Sequence, residues 1–302
     1  MRKIVSLIVV FFSISTLYAK GDLHLFDVSN KDKSITTKQI EKAFSDAGFG
    51  IGINSNMNKP YMIQFKQTDY SIYTLLTVYD KKLSFELAKT HPEYGIFLPM
   101  SMAIYQSKKE DTLHLSVLTS EAQAKILGFD DKRLKTIESK VLKIINKAMP
   151  KAKHTLSEDA LKTTKPLVTQ YVFDLDGEDS EESMENLLMS IDNGLEVYGF
   201  VVPSKLDAMP YLGKKSQYEF FQTYSICKLP VIYTVSKTTP EAGAFAPCSL
   251  AMYKKKSEDK IIIAFPNVHN WMSSAKVQNK EAIKILLKTQ KQFEAILAEA
   301  IE

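Results

Sequence analysis

The sequence predicts an α+β protein of two duplicated units, each a mainly antiparallel sheet with helices packed on one face. Three observations carry this. A fifteen-residue stretch occurs twice without a gap, HPEYGIFLPMSMAIY at 91–105 and TPEAGAFAPCSLAMY at 239–253. Eight positions are identical at a constant offset of 148: Pro92/Pro240, Glu93/Glu241, Gly95/Gly243, Phe97/Phe245, Pro99/Pro247, Ser101/Ser249, Ala103/Ala251 and Tyr105/Tyr253. Strand-like and helix-like segments then follow in the same order around both copies. Finally, 302 residues with 45% hydrophobic and 25% charged content suffice for two ordinary globular cores. A 148-residue period is too long for a solenoid repeat and means duplicated domains.

Residues 1–19 read as a cleaved export signal. Arg2 and Lys3 precede an apolar run over 4–14, and small residues lead to Ala19. That run is about half of the roughly 20 apolar residues a spanning helix needs. Nothing later in the chain is apolar enough to span a bilayer. Cleavage after Ala19 would give a periplasmic protein. It removes Arg2 and Lys3 and takes the formal charge from +4 to +2. A charge so small and so mixed with acids excludes a nucleic-acid footprint.

The first unit is expected over 20–150. Residues 22–28 alternate like a strand. Thr36 and Gln39 have capping-box spacing, Ile40, Ala43, Phe44 and Ala47 follow at helical spacing, and Gly48 stops the helix. A strand over 49–53 and a turn over 54–59 come next, while 60–69 carry no clear signal. Residues 70–79 are rich in β-branched and aromatic side chains and predict a strand. A short helix over 81–90, a strand over 96–105 and a hairpin partner over 112–118 follow. Ser120 opens a short helix that Gly128 ends. Leu134, Ile137, Val141, Ile144 and Ala148 stripe a long one.

Residues 151–165 are polar and form the predicted linker. The second unit, 166–302, repeats the order. Strands are expected over 171–175, 195–202 and 220–227, with a helix over 182–193 stopped by Gly194. A helix over 229–237, a hairpin of 245–253 with 260–265, and a long terminal helix complete it.

The Pro-Glu-x-Gly-x-Phe-x-Pro motif leads into a strand in both copies and a hairpin follows each. Together with Gly48-Phe49-Gly50 after the first helix, these features resemble the family catalogued as domain of unknown function 302, here in tandem. The resemblance implies an α+β fold, sometimes duplicated or paired as dimers, and no established reaction. It also implies two places for cysteine, a Cys-Asn-Pro turn after the central strand and a Pro-Cys-Asn opening the later one. Cys227 stands at the first, in Cys227-Lys228-Leu229-Pro230, with one residue more and no asparagine. Cys248 stands at the second, in Pro247-Cys248-Ser249. The first unit has Tyr79 and Met100 there, so any thiol-dependent role belongs to the second unit alone.

Cys227 and Cys248 are the only cysteines. In an oxidising compartment they can form a disulfide, whose loop of about 20 residues would stabilise by roughly 3 kcal/mol. The other readings are two packed thiols, a reactive thiol, or a metal site short of the four ligands zinc uses. The five histidines are dispersed without ligand spacing, and no metal site or cofactor is predicted. Glu93 and Glu241 are either turn caps or acid–base groups. Gly95 and Gly243 are expected to hold a tight turn or a left-handed conformation. Pro99 and Pro247 suit a strand entrance. His269 and Trp271, the lone tryptophan, either line a pocket or pack a loop onto its own domain. Without a catalytic motif, the expected function is an exported binding or interaction module. Its two units would pack as a pseudo-symmetric pair with a small molecule or an envelope protein as partner. The alternative is a thiol-based redox or metal-dependent envelope enzyme using Cys227 and Cys248.

Overall fold

A computed structural model describes residues 21–160, 167–175 and 180–300. The predicted export signal lies outside the described residues. The first unit runs β1 (Leu23–Ser29), α1 (Thr37–Asp46), β2 (Phe49–Asn56), α2 (Asn58–Phe65), β3 (Tyr70–Asp80) and α3 (Leu83–Thr90). A 3-10 turn (Pro92–Phe97) leads to β4 (Met100–Ser107), β5 (Thr112–Leu118), α4 (Ser120–Leu127), α5 (Lys132–Ala148) and β6 (Lys153–Leu156). The second unit runs β7 (Val168–Asp174), α6 (Ser180–Val197), β8 (Val201–Asp207), α7 (Met209–Leu212), β9 (Tyr218–Cys227) and α8 (Leu229–Ser236). A second 3-10 turn (Pro240–Phe245) leads to β10 (Cys248–Lys255), β11 (Lys260–Pro266), α9 (His269–Ser274) and α10 (Lys280–Glu299).

The strands form two antiparallel sheets, ordered β2-β3-β4-β5-β1-β6 and β7-β11-β10-β9-β8. Each sheet buries one face under helices, as α+β layering requires. The capping box at α1 is complete: Gln39 N donates to Thr36 Oγ1 at 3.2 Å and Thr36 N donates to Gln39 Oε1 at 2.9 Å. Gly48 takes the left-handed φ of 86° that ends this helix.

Four local expectations are corrected. The turn expected over 54–59 is instead the end of β2 and the start of α2, which runs on to Phe65 through residues that carried no clear signal. Helix α2 has no amphipathic period to read. Its aromatic residues are held by the opposite unit: Phe65 stacks on Tyr233 at 3.9 Å between centroids, and Tyr61 meets Tyr233 edge-on at 5.1 Å. The strand expected over 96–105 begins only at Met100, because the 3-10 turn and a cis Leu98-Pro99 bond precede it. The second copy repeats this with cis Ala246-Pro247. Helix α6 continues through Gly194 and displaces the strand expected from 195. Gly194 serves helix packing: a Cβ there would lie 2.7 Å from Cγ2 of Ile296 on α10. Part of the predicted linker is β6, a sixth strand on β1. His24 and His154 share a 2.9 Å hydrogen bond across that pair, and Glu138 accepts from His24 at 2.8 Å.

The fifteen-residue repeat joins the two units. Each 3-10 turn lies on the other unit's sheet, and the pairings are reciprocal. A Cβ on Gly95 would sit 2.6 Å from Cβ of Ala251 and 3.1 Å from Phe221. A Cβ on Gly243 would sit 2.7 Å from Cβ of Ala103 and 2.9 Å from the Tyr73 hydroxyl. Ser101 Oγ donates to the Pro247 carbonyl at 3.0 Å, and Ser249 Oγ donates to the Pro99 carbonyl at 3.2 Å. Neither glycine has a positive φ. The expected tight turn is there, as each glycine sits in its 3-10 turn, but the left-handed conformation is not; the missing side chain lets two backbones approach across a sheet. Thr223 Oγ1 donates to Leu98 O at 2.5 Å, Tyr73 to Pro240 O at 3.2 Å and Ser116 to Glu241 O at 2.9 Å. These bonds satisfy turn carbonyls that burial would otherwise leave unpaired. One buried cluster runs continuously from the first unit through this interface. A second lies between the second sheet, α6 and α10.

Candidate functional site

A small cavity of about 70 Å³ opens at one end of the second sheet. Its floor is the end of β9 and the start of β10, with Ile226, Cys227 and Cys248. Val231 and Ile232 of α8, Trp271 of α9, and Leu286 and Phe293 of α10 form the walls, and Lys228 stands among the lining residues. Such an apolar recess with few polar groups is the usual form of a small-molecule site.

Both cysteines are free in this arrangement. Cys248 is in register with Ile226, one step from Cys227. Both residues nevertheless line the same cavity. Burial pushes both thiols up to about 12. At Cys227 the neighbouring Cys248 adds to the effect, while at Cys248 the Trp271 indole works against it. A thiol so held is protonated at neutral pH and is a poor nucleophile. Among the described residues, no group of three or more His, Cys, Asp or Glu is arranged to hold a metal ion.

Trp271 is 4% exposed and its ring lies near Phe245, with centroids 6.0 Å apart. Its indole N–H is buried with no oxygen or nitrogen acceptor, and the weakly accepting Cys248 sulfur is its neighbour. His269 lies two residues earlier on α9, where its backbone N–H donates to Asn267 Oδ1 at 3.1 Å. It is not among the residues lining the cavity.

Glu93 and Glu241 stand away from the cavity, at the two ends of the interface. Burial pushes Tyr105 well up, and the charge of Glu241 from the opposite unit is the next cause. Tyr253 is raised in the same way, first by burial and then by Glu93. Each glutamate thus faces the other unit's copy of the last tyrosine in the repeat. The surroundings differ, because His114 lies beside the Glu241 cluster. His114 bonds Asp27 at 2.6 Å and stacks on Tyr105 at 4.9 Å. Its counterpart in the second unit is Ile262.

The family profile described as "Domain of unknown function DUF302" matches residues 26–152 and again 178–300. The chain belongs to the DUF302 family. A solved structure, an uncharacterized conserved DUF302 protein from Bacillus stearothermophilus, is similar at 18% identity and a TM-score of 0.34. The match covers 44% of this chain and 98% of that one. No curated protein matches.

The two DUF302 units are thus unequal at two places. At the sheet end the first unit has Tyr79 and Met100, both buried, where the second has the smaller Cys227 and Cys248. At the interface the first has His114 and the second has not. Only the cysteine difference and the Trp271 cluster were visible in the sequence as candidate features. The role of Lys228 and of the α10 wall was not, because both arise from packing between elements about 60 residues apart.

Glu241 carries a prediction of its own. Burial raises its carboxyl, while its own backbone N–H and the nearby His114 partly oppose this. A carboxyl raised in the folded state binds its proton more tightly there than in the unfolded chain. Native stability therefore falls as pH rises above the ordinary carboxylate range, and the cost is fully present above the folded value. Glu241→Gln should be more stable than wild type at pH 7 in urea unfolding, and the gain should vanish below about pH 4. An equal gain at both pH values would remove the ionisation explanation.

Proposed function

We propose that this tandem DUF302 chain is an exported binding module whose small, largely apolar ligand enters the Cys227–Cys248–Trp271 cavity. The first unit serves as its structural half and the second as its binding half. The cavity carries the reading: an apolar recess remains where the first unit has larger side chains. Export is supported by the basic start, apolar run and small-residue end of residues 1–19. No helix among the described residues is long and apolar enough to cross a membrane. No observation favours the thiol enzyme, since burial keeps both thiols protonated.

Trp271 is the only tryptophan, so its emission reports on the cavity directly. Titration with hexan-1-ol should change that emission saturably. Cys248→Met, which installs the first unit's residue, should fill the space and weaken the response at least tenfold. An undiminished response in this variant would disprove the assignment. Amino-terminal sequencing of the protein from the cell envelope should begin at Lys20; an intact Met1 in the cytoplasm would disprove export.

A further inference from the structure

We propose that the ligand of this cavity is a short-chain amphiphilic carboxylate, with its chain against the apolar walls and its acid group at Lys228. The inference rests on the cavity being the binding site and adds the chemical class of its occupant.

Three observations carry it. The first is the buried Trp271 N–H, a donor with no acceptor in the protein other than the weakly accepting Cys248 sulfur. Buried donors are ordinarily paired, so this wall keeps hydrogen-bonding capacity that the protein leaves almost unused. The second is Lys228, whose ammonium lies 4.8 Å from the centre of the Phe200 ring and donates to Gln292 Oε1 at 2.7 Å. Among the described residues, no carboxylate lies within ion-pair distance of it. Burial lowers its pKa and the neighbouring charge of Lys288 lowers it further. An anion placed there relieves both effects. The third is the wall itself. The cavity is small and opens to solvent, and its surface is overwhelmingly apolar. That suits a few methylene groups and no sugar, nucleotide or peptide. A carboxylate supplies the counter-charge that Lys228 lacks, on a chain that the apolar walls accept.

The test uses the mature full-length protein and three probes with the same six-carbon chain: hexanoate, hexan-1-ol and hexylamine. Trp271 emission and titration calorimetry are read together. Hexanoate should bind at least tenfold more tightly than hexan-1-ol, with hexylamine weakest. Lys228→Met should abolish the preference while retaining hexan-1-ol binding, and Lys228→Arg should keep it. Equal binding of hexanoate and hexan-1-ol by wild type overturns the carboxylate assignment alone. So does a preference that survives in Lys228→Met. Failure of all three probes to bind overturns the cavity reading as well.

Discussion

Phe221→Ala is expected to destabilise the chain by about 3–5 kcal/mol, the range for removing a fully buried aromatic ring. Phe221 is wholly buried on β9, packs against Tyr218 and Tyr253 at 5.3 and 5.6 Å, and closes over Gly95 of the opposite unit. The ring therefore belongs to both units. Urea unfolding should show one transition displaced to lower denaturant, with the first unit losing its structure together with the second. Two separated transitions, with only the second displaced, would show that the units fold independently. The counterpart Tyr73 lies in the same place on β3 and adds its bond to Pro240 O. Tyr73→Phe, which removes that hydroxyl alone, should cost only about 1 kcal/mol.

Alanine at Gly95 or Gly243 is expected to cost about 1–3 kcal/mol each through overpacking. The added carbon would lie 2.6 or 2.7 Å from an alanine Cβ on the facing strand. A methyl group rooted on a strand cannot swing aside as a long side chain would, so the backbones themselves must separate. Gly48 is different in kind. Nothing lies within 4 Å of its would-be Cβ, and its requirement is the positive φ. Thermal unfolding of the two interface variants should show losses of similar size, because the contacts are reciprocal.

Much of the fold was legible because periodicity and caps are local signals. Thr36 and Gln39 announce α1, and the stripe from Leu134 to Ile145 announces α5. The hairpin of β4 with β5 lies close to where alternation puts it. The misreadings share one cause. Gly194 looks like a helix stop and Gly95 and Gly243 like plain turn residues, yet each is small because another element passes close by. Likewise α2 takes its helical form over residues without a helical stripe, since Tyr61 and Phe65 are buried by Tyr233 of the other unit. The candidate site was legible as the exchange of Tyr79 and Met100 for two cysteines and as the lone Trp271. That the exchange leaves a cavity, with Lys228 beside it and an unpaired indole in its wall, depends on how α8, α9 and α10 pack.

The central structural claim is that the repeated stretch, besides forming a turn within each unit, is a reciprocal lock between the two. A double-mutant cycle tests it most directly. Gly95→Ala is combined once with Ala251→Gly, its contact across the interface, and once with Ala103→Gly, the same position within its own unit. Chemical denaturation of all variants reads the coupling. Ala251→Gly should recover part of the loss caused by Gly95→Ala, with a coupling of about 0.5–3 kcal/mol, while Ala103→Gly should add its own cost independently. Rescue by Ala103→Gly, or additivity with Ala251→Gly, would contradict the interface.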